Sequence, residues 1–349
     1  MLTHWWRRLS EWLMTRTGRD RWAIALEMHL VQRTRAMMHA NSGENCSRTS
    51  SVCLVLLKHP PHTGRQQRDD TLSHCIHHTC DSTLMPSLTK YVFVQNDPFY
   101  LPKVLDKYLR DYADSTAGIN IQSVAQGKRT VFQTAMELYR LYGFHYFQWK
   151  LRKYLWKKLQ AKVINDLLGS TRQCHSVRAV AKKYGVEVTE AVDVNSDSFL
   201  QHLRDRQVEF IVSISGTQMY RKPLREQTKH GIVNCHGALL PKYRGLMPSF
   251  WTLANGETEG GVSVHFVDAK LDNGPIVVQK KYRIHPHDTL EDIMARSKDL
   301  GAEAILECVR LIEAGDPPLM KNDADQATHF SMPTREDVKG FYANGHRFF

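Results

Sequence analysis

From residue 90 onward, short apolar runs alternate with amphipathic segments, a pattern that predicts strands and helices in turn. Strands are predicted at residues 90–94, 118–125, 186–188, 210–215, 260–267 and 276–284. Helices are predicted from Leu101, over 176–184, over 196–206 and from Thr289, where Asp292 three residues on is typical of a capping box. The repeated strand–helix–strand order indicates an α/β fold, with a mostly parallel sheet flanked by helices.

The first 84 residues differ in composition from the rest of the chain. Their 11 basic residues include a single lysine, whereas the other 36 divide into 20 Lys and 16 Arg. Three interpretations stay open: a zinc site, an Arg-rich organellar transit segment, and a leader that is disordered or not part of the natural product. The zinc site would use His74, Cys75, His77, His78 and Cys80. We favour the third interpretation, because no sustained apolar period precedes the first strand and Met85 stands directly before it.

Composition excludes several classes of protein. With 42% hydrophobic residues and a mean hydropathy of −0.43, the chain is neither collagen-like nor wholly disordered. Its longest purely apolar run, residues 52–57, is far below the roughly 18 residues that cross a bilayer. The seven cysteines are odd in number and no signal-peptide pattern precedes them, so we expect a cytoplasmic location. The formal net charge of +11 favours anionic partners.

One polar pair marks the end of a predicted strand. Asn234 and His236 are two residues apart, so both side chains project to the same side of the chain. An amide can donate to a developing oxyanion, and an imidazole can move a proton near neutral pH. An isolated Asn-x-His more often satisfies a buried carbonyl, so the assignment depends on the residues that follow.

Those residues supply a second motif. After Asn234 and His236 the chain reads Leu-Leu-Pro-Lys-Tyr-Arg-Gly, and Leu271-Asp272-Asn273-Gly274 follows a later strand introduced by Gly261. In these motifs the chain resembles the folate-dependent formyltransferase family, over about residues 89–315 and most strongly over 208–284. The resemblance implies a Rossmann-like catalytic domain at 89–315. Composition separates a leader at 1–84 from it, and the residues that remain form a C-terminal tail at 316–349.

The resemblance also implies a site. It gives 10-formyltetrahydrofolate as the formyl donor, Asn234, His236 and Asp272 as catalytic residues, and no metal. Asn234 and His236 would stabilise the oxyanion as an amine attacks the formyl carbon, while Asp272 orients His236 and assists amine deprotonation through water. Two loops would hold the donor's pterin ring. These loops contribute Ser215, Gly216, Thr217, Gln218 and Met219, and Val267, Asp268 and Leu271.

Family members formylate different amines, and segments outside the core favour a sugar, a lipid-linked or another small primary amine. The turn Asn96-Asp97-Pro98 lacks the glycines of the phosphate loop in glycinamide ribonucleotide enzymes, which disfavours that acceptor. Methionyl-tRNA formyltransferases append a β-barrel that the 34 residues after Gly315 are too few to form, so tRNA ranks second. Hydrolysis of formyltetrahydrofolate is a further alternative.

Residues 130–162 form a predicted helical insert that interleaves aromatic and basic side chains, with Glu137 as the only acid. Its aromatic face can pack against the sheet or a second subunit, rest on a membrane surface near a lipid-linked acceptor, or bind nucleic acid. The insert also underlies a non-enzyme alternative, a silent family member acting as a membrane or nucleic-acid binding module. The sequence does not indicate an oligomeric state.

Overall fold

The computed structural model describes residues 87–123, 131–190 and 192–349, without the side chains of 131–134. These residues belong to one compact unit of the chain, His78–Phe349. The zinc-site, transit-segment and disordered-leader interpretations of residues 1–84 lie outside the described residues. The boundaries proposed at 89, 315 and 316 stay predictions.

A seven-stranded sheet confirms the α/β prediction. Five of its strands pair with one another in parallel, and the last two strands, at one edge, each pair antiparallel with the strand before them. In chain order the strands are β1 Lys90–Gln95, β2 Thr116–Gln122, β3 Val188–Glu190, β4 Phe210–Ile214, β5 Ile232–His236, β6 Arg244–Gly245, β7 Glu259–Phe266, β8 Ile276–Arg283 and β9 His329–Phe330. The sheet order is β3-β2-β1-β4-β5-β7-β8, and β6 pairs with β9 separately.

Helices cover both faces of this sheet. They are α1 Leu101–Tyr112, α2 Val131–Tyr142, α3 Phe144–Gln160, α4 Val177–Lys183, α5 Asp197–Asp205, α6 Lys222–Arg225, α7 Pro248–Ala254, α8 Leu290–Glu313 and α9 Arg335–Ala343. A π-helical segment, Ala161–Leu167, continues α3. The predicted capping box at Thr289 is present, because Thr289 and Asp292 each accept the other's backbone N–H. No helix in the described part of the chain is long and apolar enough to span a membrane.

Three boundaries differ from the sequence prediction for local reasons. The strand predicted at 186–188 begins at Val188 instead, because Val186 N–H donates to the Ala181 carbonyl and closes α4. The strand predicted to reach Ser215 ends at Ile214, since Ser215 has a left-handed backbone with φ of 59°. The strand predicted to reach residue 125 ends at Gln122, and residues 124 and 125 lie outside the described part of the chain.

Residues 316–349 contain ordered elements that the sequence pattern did not reveal. β9 lies beside β6, and the buried Phe341 and Phe348 pack with Phe250 of α7 and Tyr142 of α2. Aromatic burial therefore joins this segment to the helical insert and to the wall of the cavity described below.

Candidate active site

A cavity of about 360 Å³ lies beside the carboxyl ends of β1, β4 and β5. Open α/β sheets place ligands at this edge. The loop between β7 and β8 forms another wall, and α8 closes one side with Met294, Ser297 and Lys298. Every residue that the resemblance implied lines this cavity: Asn234, His236 and Asp272, then Ser215, Gly216, Thr217, Gln218 and Met219, then Val267, Asp268 and Leu271.

Strand register brings the polar groups together. β5 and β7 are antiparallel neighbours in which Asn234 lies directly opposite His265 and His236 lies opposite Ser263. Residues opposite one another in such a pair share a face of the sheet. Asn234, His236 and His265 therefore point to the same side.

Asp272 is a buried carboxylate between two imidazoles. Its Oδ2 is 3.5 Å from His236 Nδ1, and its Oδ1 is 3.5 Å from His265 Nε2. The backbone N–H of Gly245 donates to Oδ2 at 2.9 Å. Burial raises the pKa of Asp272, but His236, His265 and this N–H together outweigh burial and lower it to about 2. The site therefore holds a carboxylate anion at neutral pH.

The two ring nitrogens of His236 face different groups, the Tyr243 carbonyl and the Asp272 carboxylate. Its Nε2 donates to the Tyr243 carbonyl at 2.8 Å, which leaves Nδ1 as the acceptor of the neutral ring. Burial lowers the pKa of His236, and Asp272 and the Tyr243 carbonyl offset only part of that effect. A neutral imidazole thus presents its lone pair beside Asp272, where an added proton gains a carboxylate partner.

The Asn234 amide is oriented by a hydroxyl. Ser213 Oγ donates to Asn234 Oδ1 at 2.9 Å and also bonds Tyr220 Oη at 2.8 Å. The Asn234 amide oxygen therefore already accepts a hydrogen bond from the neighbouring strand β4. Among the described residues no partner bonds Asn234 Nδ2, so this N–H donor is left for a ligand in the cavity.

The loop from Ser215 to Met219 is held by Gln122 at the end of β2. Gln122 Oε1 accepts the N–H groups of Thr217 and Gln218 at 2.6 and 3.1 Å. The Gln218 side chain bonds the backbone at Val192 and Val194. These contacts fix the loop beside the cavity, while Met219 remains 65% exposed.

In the β7–β8 loop, Asp268 shapes the backbone. Its carboxylate accepts the Lys270 N–H at 2.8 Å and the Asn273 Nδ2 amide at 2.6 Å. Leu271 is 46% exposed beside the cavity, so an apolar side chain borders each of the two loops.

Two residues of the cavity were missed by sequence reasoning. His265 is an ionisable side chain within the buried strand β7, and its unusual position was the available signal. Lys298 lies on α8 four residues after Met294 and three before the buried Gly301, so a lysine occupies the helix stripe that faces the protein. Its Nζ donates to Ser215 Oγ at 2.5 Å, which places a cation in the cavity.

A buried network beyond residue 315 supports Asp272. Asn322 Nδ2 donates to the carbonyls of Asp272 and Gly274 at 2.9 Å each, and Asn322 Oδ1 accepts from Arg244 Nη2 at 2.7 Å. Arg244 Nη1 also donates to Asn273 Oδ1 at 2.8 Å. Asp272 has a left-handed backbone with φ of 48°, and this network holds it in that conformation.

Comparison with known proteins finds a family model and several relatives that match part of the chain. The formyl transferase family model matches residues 160–309, which include Asn234, His236 and Asp272. The match to this model agrees with the resemblance that the sequence motifs indicated. A methionyl-tRNA formyltransferase of Kosmotoga olearia is 31% identical over 50% of this chain and 56% of its own length.

A second methionyl-tRNA formyltransferase, from Thermodesulfovibrio yellowstonii, is 33% identical over 42% of this chain and 48% of its own length. The chain thus spans about half the length of these relatives. Among solved structures, an N-formyltransferase from Helicobacter canadensis, in complex with folinic acid and dTDP-3-aminofucose, has a TM-score of 0.46 and 17% identity. The similarity covers 70% of this chain and 71% of that one.

Replacing Asn322 tests whether this buried network supports the site. We expect Asn322→Ala to lower the free energy of unfolding by about 1–3 kcal/mol, because it leaves two carbonyls and an Arg244 N–H without partners. Asn344→Ala, at an exposed position, is the matched control and is expected to change stability by less than about 0.5 kcal/mol. Urea unfolding measures both. Equal stabilities for the two variants would contradict the role given to Asn322.

Proposed function

We propose that this protein transfers a formyl group from 10-formyltetrahydrofolate to a primary amine by direct attack. The observation that carries this proposal is the convergence of Asn234, His236 and Asp272 on one cavity within a formyl transferase domain. A buried carboxylate, an adjacent neutral imidazole and an oriented amide donor are the groups that acyl transfer to an amine requires.

The roles follow from the contacts. Negative charge develops on the formyl oxygen as the amine attacks, and Asn234 Nδ2 donates to it because Ser213 already occupies the amide oxygen. The attacking amine must lose a proton, and His236 Nδ1 accepts it directly or through water. Asp272, ionised and 3.5 Å from that nitrogen, stabilises the resulting imidazolium. The bond between the formyl carbon and the folate nitrogen then breaks, and that nitrogen takes the proton back from His236, which releases tetrahydrofolate.

The two loops fit the proposed donor. Met219 and Leu271 offer exposed apolar side chains to a flat ring, and the loop from Ser215 to Met219 lines the same space. The donor supplies a formyl group on a nitrogen, and the residues of this chain bind it and orient it. Lys298 adds a positive charge that suits an anionic substituent of the donor or the acceptor.

The acceptor is proposed to be the amine of a sugar or another small molecule, including a lipid-linked one. The cavity of about 360 Å³ has room for the donor's reactive end and a compact amine. An aminoacyl-tRNA is the second candidate, because the relatives described above are methionyl-tRNA formyltransferases. Water as the acceptor would make the protein a formyltetrahydrofolate hydrolase.

An acceptor panel tests this function. Purified full-length protein is incubated with 10-formyltetrahydrofolate and separately with amino-sugar nucleotides, methionyl-tRNA or buffer alone, and tetrahydrofolate release is followed by absorbance. We expect release to depend on an added amine, with the small amines ahead of the tRNA. Release of the same size in buffer alone would indicate a hydrolase, and no release with any acceptor would refute the enzyme proposal.

Substitution of the three central residues tests their roles. With the best acceptor of the panel, we expect Asp272→Asn, His236→Ala and Asn234→Ala each to lower kcat by about 100-fold or more, the usual cost of lost acid–base or oxyanion assistance. Asp316→Asn, which removes an exposed carboxylate far along the chain, serves as the matched control and should retain full turnover. Near-normal kcat in Asp272→Asn would make Asp272 a structural residue and refute the proton-transfer role.

A further inference from the structure

The helical insert has two faces with different environments. On the inner face, the buried Tyr146 and Lys150 Nζ both donate to Glu291 at the start of α8, at 2.7 and 2.5 Å. Tyr100 Oη donates to the same carboxylate at 2.7 Å. Burial raises the pKa of Glu291, but Lys150 and the two hydroxyls outweigh it, so the net shift is downward. The ionised Glu291 carboxylate therefore links α3 to α8 through an ion pair and a hydrogen bond.

The opposite face of α3 carries large apolar side chains that this anchoring leaves uncovered. Phe144, Leu151 and Leu155 are 54%, 41% and 49% exposed. Their spacing of seven and four residues places them on one side of the helix, together with the exposed Lys158 and Lys162. We call these five residues the outer face of α3.

Other exposed apolar side chains lie near the outer face of α3. Trp156, on a neighbouring side of α3, is 46% exposed. Leu167 and Leu168, at the end of the π-helical continuation, are 78% and 60% exposed. Scattered single apolar residues on a surface are ordinary, but a run of leucines and aromatics along one helical segment marks an interaction site.

The basic residues around the outer face of α3 indicate the charge of its partner. Besides Lys150, which is paired with Glu291 on the inner face, residues 138–165 include six basic residues and no acid: Arg140, Arg152, Lys153, Lys157, Lys158 and Lys162. A second copy of the chain docked by the same face would bring these cations against each other, which disfavours a symmetric dimer. An anionic partner is complementary instead.

Lipid and nucleic acid are both anionic, and the apolar residues of the outer face of α3 favour lipid. Nucleic acid is bound by phosphate contacts and by stacking on aromatic or arginine planes, and leucine side chains contribute to neither. A helix with Phe and Leu on one face, flanked by lysine, instead matches the pattern of helices that lie in a lipid headgroup interface.

We propose that the outer face of α3 docks the protein on an anionic lipid bilayer. Phe144, Leu151 and Leu155 insert at the headgroup boundary, and Lys158 and Lys162 contact lipid phosphates. The docked helix lies close to the cavity, because α8 carries both Glu291, which holds α3, and Lys298, which lines the cavity, about 10 Å apart along its axis. This inference goes beyond formyl transfer and does not depend on it.

Vesicle binding tests the proposal without any turnover. Full-length protein is sedimented with vesicles of phosphatidylcholine and phosphatidylglycerol, and with vesicles of phosphatidylcholine alone. We expect binding to the mixed vesicles that weakens at high salt, and a loss of about tenfold or more in the double variants Leu151→Ser/Leu155→Ser and Lys158→Glu/Lys162→Glu. Leu319→Ser and Lys229→Glu, at exposed positions elsewhere, are the matched controls and should bind like the unaltered protein.

Circular dichroism melting confirms that each variant is folded, which is expected because the changed side chains are exposed. Failure of the unaltered protein to bind mixed vesicles would overturn the proposal, as would equal losses in variants and controls. Two further measurements identify the rival partners. Binding to tRNA, without vesicle binding, that is lost in the lysine variant would assign the surface to nucleic acid. A dimer in sedimentation analysis that the leucine variant dissociates would assign it to a second copy.

Discussion

A buried negative charge, the Asp272 carboxylate, is the constraint on which the rest of this site depends. A carboxylate out of water is costly unless opposite charge or N–H donors face it. Here the Gly245 N–H donates to Asp272, and His236 and His265 lie 3.5 Å from its oxygens, where each ring supplies opposite charge when it is protonated. Each of these groups comes from a different part of the chain. The pairing of β5 with β7, the β6 turn and the β7–β8 loop therefore have to be correct together before Asp272 can stay ionised.

The elements that supply these groups are themselves held from two sides. Asn322 and Arg244 fix the backbone at Asp272 through hydrogen bonds to carbonyl and amide oxygens, and Asn322 lies beyond the helix that ends at Glu313. On the other side, α8 contributes Lys298 to the cavity and Glu291 to the insert. The chemical site, the C-terminal segment and the surface proposed to meet the membrane are thus parts of one packed structure.

The sequence predicted most of the strands and long helices, but only part of the set of side chains in and around the cavity. Periodicity predicted the strands and long helices because buried faces repeat at fixed spacing, and the two motifs predicted that Asn234, His236 and Asp272 belong together. Periodicity missed His265 and Lys298, since each occupies a position that the pattern assigns to an apolar residue. It also missed Asn322, because its role depends on hydrogen bonds to residues about 50 and 78 positions away.

The ionisation of Asp272 in the folded protein tests this account most directly. Carbon-13 labelling of aspartate carboxyl groups, with the Asp272 signal assigned from Asp272→Asn, allows its titration to be followed by NMR. The account predicts that Asp272 stays ionised as pH falls and protonates only near its lowered pKa of about 2, or at acid unfolding if that comes first. A midpoint at or above the ordinary value of 3.8 in the folded protein would contradict it.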